Sequence, residues 1–412
     1  MKGVLVILDG IGDLPNKLLG DKTPLEAAYT PNLDFLANRS ELGYMYPVKP
    51  GYVPASDEAI VSFFGNDLTK SSRGQLEVRG TDIKLVRGDL ALRTNFATVD
   101  KEGNIVDRRA GRTVTNKEAE LLAKEVNKIK IPKDFIFKST IQHRGVLVFK
   151  GGFSDNITGN DAAYIRGKMK EDKVSYIRPL DDSENTQYTA DVVNEFLERV
   201  REVLEKHPVN IDRKRKGLLP ANYLLIRGAG IETPKLKFYK KWLAVSYMPL
   251  EIGFAKTSGM QVFSFNYPRF GWFDVYHNLY KGLKKACKVS IKTIKRNYNK
   301  FDYAYIHIKE TDIPGHDNKP LEKKFMIEHL DKTLFYFLKK FAISKKIKVV
   351  ITGDHSTPCR LKSHSADPVP VLFYSGIETA PKEKRFCESD ARKGSLGRIM
   401  GGELLSKAGF MR

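Results

Sequence analysis

Cysteine is scarce in this chain of 412 residues: Cys287, Cys359 and Cys387 stand at unrelated spacings. That excludes a disulfide framework and a cysteine-knuckle zinc site. Long hydrophobic runs are absent as well, and none approaches the ~18 apolar residues of a membrane span. The apolar stretch Val4 to Leu8 is too short for a signal segment and has no small-residue cleavage site, so it reads as a core strand. There is no low-complexity tail, repeated unit or recognition-helix pattern. Together these absences point to the cytoplasm, with no membrane contact.

What is present is ordinary in apolar content and unusual in charge. Hydrophobic residues make up 41% and aromatics 10%, enough for a large core. The length suggests two domains, or one domain with a sizeable insertion. The formal charge is +21, so nucleic acid must be weighed as a partner. The lysines, however, are dispersed over amphipathic helical segments such as 281–300, 319–324 and 339–348, where a solvated face explains them. A field of this sign would also gather a small anionic substrate. A basic nucleic-acid-binding protein with a decayed site is therefore the remote alternative.

Along the chain, Val4 to Leu8 ends in Asp9-Gly10, as a buried parallel strand delivering a carboxylate would. Thr30-Pro31-Asn32 opens a helix with proline at its first position. Ser56 falls at the start of a helical run, 58–64, where free backbone N–H groups favour a bound anion. From about Phe96 short strands (96–99, 135–138, 145–149, 174–177) surround a helix at 117–127, an α+β texture suited to an inserted module. A long amphipathic helix follows at 189–206. Tyr223 to Ile226, Tyr303 to Ile308, Lys348 to Thr352 and Pro370 to Tyr374 then restore the strand pattern. The expected fold is α/β with a mainly parallel sheet. Its domains are a discontinuous one, 1–95 with 186–412, and an inserted α+β one at 96–185.

Only eight histidines occur, and three lie in two polar motifs after strands: Thr311-Asp312-Ile313-Pro314-Gly315-His316 and Gly353-Asp354-His355-Ser356-Thr357-Pro358, followed by His364. Asp and neutral His are ligands of divalent transition metals. Singly, each motif could be a helix cap or a hydrogen-bonded turn. Four strand-end loops with such residues, counting Asp9-Gly10 and Ser56-Asp57, converge on one edge of an open α/β sheet. They supply ligands for two metals and a hydroxyl nucleophile, the parts of a metal-dependent phosphotransferase.

Leu8-Asp9-Gly10-Ile11-Gly12-Asp13, Lys22 to Ala28, Thr30 to Asp34, Pro54-Ala55-Ser56-Asp57, Arg73-Gly74, Asn95 to Val99, His207 to Asn210, Arg227 to Gly230, Asp312 to His316 and Gly353 through His364 resemble, in family order, the alkaline phosphatase superfamily. The likeness is greatest to the archaeal type of cofactor-independent (2,3-bisphosphoglycerate-independent) phosphoglycerate mutase. It implies an alkaline-phosphatase-like three-layer sandwich and the interconversion of 2-phosphoglycerate and 3-phosphoglycerate, in glycolysis and gluconeogenesis, through a phosphoserine on Ser56. Other phosphatases, phosphodiesterases or phosphomutases of the superfamily remain the alternative.

Carried over by motif, Asp9, Ser56, Asp354 and His355 would hold one metal ion, and Asp312, His316 and His364 the other. The ions implied are Mn, Zn, Co or Mg, with no bisphosphoglycerate. Lys309 would assist catalysis. Asp155 or Asp161 would be the general base. Arg73, Arg93 and Arg227, with Arg108, Arg109 and Arg112 from the insert, would bind the phosphate and carboxylate, as arginine forks do. A homo-oligomer is compatible with this reading. Departures from the family pattern are Ala55 for Gly, Glu58 for Thr and Gln75 for Pro, and 235–270 matches poorly.

Overall fold

The computed structural model describes residues 1–161, 173–271, 274–377 and 380–411. Its strands, in chain order, are β1 Gly3–Leu8, β2 Glu41–Tyr46, β3 Leu90–Val99, β4 Ile105–Asp107, β5 Phe135–Ser139, β6 Arg144–Phe149, β7 Tyr223–Gly230, β8 Trp242–Val245, β9 Gln261–Phe263, β10 Tyr303–Ile308, β11 Lys348–Gly353, β12 Val369–Tyr374 and β13 Gly397–Met400.

Eight of them form one sheet in the order β13-β2-β12-β11-β1-β10-β8-β9. Only β12 runs against its neighbours; every other pairing in the sheet is parallel. β1, near the middle, is buried along its whole length, as a parallel strand covered on both faces must be. Its alternating side chains divide between two cores. Val4, Val6 and Leu8 join Leu33, Leu283, Met326 and Leu338 from the helices of one face. Leu5 and Ile7 join Ile60, Phe63, Leu76 and Phe254 from the helices of the other. The result is a three-layer α/β sandwich. No described helix is long and apolar enough to cross a membrane, and the three cysteines are free and buried.

The remaining five strands build a second sheet in which every pairing is antiparallel, with β3 between β6 and β7. Its core packs Leu90, Leu92 and Phe149 against Leu122 of the helix Asn116–Val126 and Val193 and Phe196 of the helix Glu184–Glu205. The expected boundaries at 96 and 185 cut through this unit. β3 begins at Leu90, and β7 lies beside it with Ala91 opposite Gly230. A pairing so distant in sequence leaves no mark in local periodicity. The strand expected at 174–177 is not one. Its neighbour Lys173 makes an isolated bridge to Asn104, while the backbone N–H and C=O of Ile177 are both satisfied by the Asn194 amide.

Candidate metal centre and substrate cleft

The register of three adjoining strands sets the centre. Leu8 of β1 stands opposite Ile308 of β10 and Gly353 of β11. The next residues, Asp9, Lys309 and Asp354, therefore leave the sheet side by side at its C-terminal edge. Lys309 Nζ lies 2.5 Å from Asp9 Oδ2 and 2.8 Å from Glu251 Oε1. Gly10 must be glycine: its φ is +61°, and a Cβ there would stand 2.6 Å from both Asp312 Oδ1 and Thr357 Oγ1. Its N–H donates to Asp354 Oδ1 at 3.0 Å.

Asp312 and His316 share one face of the short helix Asp312–His316, with Nε2 3.4 Å from Oδ2. His364 Nε2 approaches Asp312 Oδ1 at 3.8 Å, and His355 Nε2 lies 3.2 Å from Asp9 Oδ1 and 3.5 Å from Asp354 Oδ2. The far side of each imidazole is fixed. His316 Nδ1 donates to the Lys362 carbonyl at 3.0 Å and His364 Nδ1 to the Pro54 carbonyl at 2.9 Å. The Thr357 hydroxyl donates to Asp312 Oδ1 at 2.8 Å, so toward His355 Nδ1, 3.0 Å away, it must accept. All three rings thus keep a proton on Nδ1 and turn Nε2 inward, the nitrogen a metal ion would take, as outer partners orient metal ligands.

Ser56 is the first residue of the helix Ser56–Phe63, after Ala55 at φ −96° and ψ 163°. Glu58, the departure from the family threonine, accepts from the Ala55 N–H at 2.9 Å and so closes half of a capping box. The Ser56 hydroxyl lies 3.4 Å from both His355 Nε2 and Lys309 Nζ.

This donor set fits divalent cations. Asp312, His316 and His364 form one group whose ligand atoms lie within 4.8 Å of one another, and Asp9 with Asp312 and His355 forms another. A third, Asp9 with His307 and Asp354, brings in a histidine that the motif reading passed over. Asp9 Oδ1 and Asp354 Oδ2 are buried without a hydrogen-bond donor, a costly state unless a cation faces them. Burial, then the charge of Asp354, raises the Asp9 carboxyl above its usual range. Burial alone would lower the His355 pKa, but Asp354, Asp9 and Asp312 raise it to about 9. Burial likewise opposes the charge of Asp312, which His316, His364 and His355 nevertheless hold well below the ordinary carboxyl value. A site this rich in carboxylates calls for positive charge.

Above the centre, a cleft lined by Asp9, Lys309, Asp312 and His316 on one side is closed by Arg109, Arg112, Ile141, His143 and Arg144 from the second unit. Arg112 is 9% exposed, with Nη1 3.4 Å from Asp317 Oδ1. The other expected substrate residues are placed differently. Arg73 is bound to Asp57 at 2.8 Å and Glu77 at 2.7 Å, and the buried Arg93 to Glu77 at 2.9 Å and Asn95 at 2.8 Å. Burial would raise the Glu77 pKa, yet Arg93 and Arg73 hold it down to about 2. Arg227 is half-buried on β7, opposite Arg93. Arg108 pairs with the buried Asp161 at 2.7 Å, and Asp155 accepts from the Ile231 N–H at 3.1 Å.

Sequence reading missed Glu251, His307, His143 and Arg144. His307 could have been found, since strand alternation puts it on the face of Lys309. Glu251 lies in the poorly matching segment 235–270, and the cleft face of 141–144 depends on a turn with Gln142 at φ +53°. Gln75, another departure, donates its amide to Gly230 O at 2.9 Å and ties the two units together.

Residues 276–409 match the metalloenzyme superfamily, and residues 37–210 match the family described as 2,3-bisphosphoglycerate-independent phosphoglycerate mutase. Fold and donor set accordingly define a divalent-metal enzyme of that superfamily. A curated phosphoglycerate mutase of this type from Pyrococcus abyssi is 41% identical over 98% of this chain and 96% of its own. Among solved structures, a Pyrococcus horikoshii protein is 31% identical with a TM-score of 0.74, covering 100% of this chain and 98% of its own. The cofactor-independent phosphoglycerate mutase of Thermoplasma acidophilum, also 31% identical, has a TM-score of 0.56 over 99% of this chain and 98% of its own. The chain belongs to the 2,3-bisphosphoglycerate-independent phosphoglycerate mutase family.

Proposed function

We propose that this protein interconverts 2-phosphoglycerate and 3-phosphoglycerate without a bisphosphoglycerate primer, in the cytoplasm and without a nucleic-acid or membrane partner. The observation that supports this most is the Ser56 hydroxyl at a helix N-terminus, within 3.4 Å of both Lys309 Nζ and His355 Nε2. Asp9, Ser56, Asp354 and His355 would hold one divalent ion, and Asp312, His316 and His364 the other. The mixed Asp/His donors favour Mn, Zn or Co over Mg. Bound there, two such ions would polarise a phosphoryl group and lower the serine hydroxyl pKa.

The Ser56 oxygen forms a bond to phosphorus as the bond to the glycerate oxygen breaks, and the proton lost by the serine hydroxyl ends on that departing oxygen. Backbone N–H groups of the Ser56–Phe63 helix and the Lys309 ammonium face the new phosphoserine. Arg109, Arg112 and Arg144 hold the glycerate carboxylate while it turns. Its other hydroxyl takes the phosphoryl group back, and the proton it gives up to the general base ends on the freed Ser56 oxygen. Asp161 is the better placed of the two expected bases, because its partner Arg108 lines a pocket shared with Arg109, Arg112 and His316. Closure of the second unit over the cleft excludes water, which would otherwise hydrolyse the phosphoserine.

An enolase-coupled assay on 3-phosphoglycerate, with manganese and no bisphosphoglycerate, tests the proposal. Turnover that stops on chelation and returns with metal is expected. Dependence on added bisphosphoglycerate, or full activity of metal-free protein, would overturn it.

A further inference from the structure

Lys323 lies on the helix Pro320–Leu330 and is wholly buried. An ammonium so deep must have every N–H satisfied. Its three partners are Asp13 Oδ2 at 2.8 Å, the Thr357 carbonyl at 3.1 Å and the Gly12 carbonyl at 3.3 Å. Asp13 in turn accepts at Oδ1 from the Cys359 N–H at 3.0 Å. Gly12 and Asp13 belong to the loop that follows Asp9, and Thr357 and Cys359 to the loop that follows Asp354 and His355. The helix bearing Lys323 itself follows Asp312 and His316. One nitrogen thus joins the three connections that bear six of the seven expected ligands, all but Ser56, without a hydrogen bond to any of them.

The junction leads straight into the donor set. Thr357, whose carbonyl Lys323 holds, uses its hydroxyl to fix both Asp312 Oδ1 and His355 Nδ1. Its N–H donates to Gly12 O at 2.9 Å, and Gly315 packs so close that a Cβ there would lie 2.4 Å from Thr357 O.

We infer that Lys323 is a positioning residue: by holding the Gly12 and Thr357 carbonyls it sets the spacing between the two metal-ligand groups. This rests on the dinuclear reading above. Lys323→Met strands the Asp13 charge and destabilises the fold, so the informative protein is Lys323→Met/Asp13→Asn, which removes both charges. Three measurements on chelated, reloaded protein decide the matter: unfolding midpoint, metal stoichiometry and affinity by calorimetry, and KM against kcat.

The double variant should recover most of the stability lost in Lys323→Met. It should bind at least one ion roughly 10–100-fold more weakly, the usual cost of losing an outer partner, with kcat lowered and KM little changed. A double variant that is stable and binds both ions as the parent does would overturn the inference. So would one that does not fold, since the lysine would then belong to the core alone. If the parent protein itself takes up no metal, it is the dinuclear reading that fails.

Discussion

On one wall of the cleft, Asp9, Lys309 and Asp354 follow directly from three hydrogen-bonded parallel strands. On the other, Arg109, Arg112 and Arg144 come from turns of the antiparallel unit, where Ala110, Arg112 and Gln142 hold φ of +46°, +56° and +53°. The first wall is acidic, and its geometry is fixed by register, so its groups are in place before anything binds. The second is basic and rests on left-handed backbone that costs on the order of 1–2 kcal/mol per residue. Chemistry that needs preset distances sits on strand ends. In the proposed reading, recognition of a flexible, doubly charged substrate falls to turns carried by a separate body.

This contrast can be broken at several places. Ser56→Ala should lower kcat by at least about 10⁴-fold, as loss of a nucleophile does, while most metal remains bound; quenched parent protein should show phosphate on the Ser56 peptide by mass spectrometry. An active Ser56→Ala protein would move the nucleophile elsewhere. Replacing residues 90–230 with a short linker should leave a folded core that still binds metal but does not isomerise. A cut at 96–185 should instead give insoluble protein, because it strips β3 of β6 and leaves half the second core exposed. Loss of metal binding in the first deletion would show that the acidic wall is not self-sufficient.

Smaller effects should separate the walls further. Arg112→Met and Arg144→Met should each raise KM for 3-phosphoglycerate by roughly 10–100-fold, about 1.5–3 kcal/mol for a charged hydrogen bond, with metal affinity unchanged in calorimetry. Glu77→Gln tests the junction, where one buried carboxylate serves Arg73 and Arg93. Its folded pKa, about 2, lies below the ordinary value of 4.5. The stability it provides is therefore full above about pH 4.5 and is lost as pH falls toward 2. Denaturation midpoints should show that loss in the parent and a flatter profile in the variant. At pH 7 the variant should be about 3 kcal/mol less stable.

Much of the acidic wall is legible in the sequence because its residues follow apolar runs directly. Asp9, Lys309 and Asp354 each come after a strand whose composition announces it, and the position of Ser56 at a helix start follows from the proline-bounded loop before it. The basic wall is less legible. Arg109 and Arg112 were expected there, but Arg144 and His143 were not, since their direction is set by an irregular turn. Arg73 and Arg93 stand beside matching motifs and yet are bound to Glu77, a pairing created when a helix of one unit packs on a strand of the other. The extent of the second unit escaped for the same reason: β3 and β7 are far apart in the chain and adjacent only in the fold.

That adjacency has a mechanical consequence. The chain passes into the second unit along β3 and out of it along β7, and the two are hydrogen-bonded with Ala91 opposite Gly230. Both crossings therefore lie side by side, like the two edges of a single strap. A strap bends readily in one direction and resists twist or sideways shear. The unit that bears the arginines should thus swing about one axis and return to one alignment, so that the walls meet in register each time the cleft shuts.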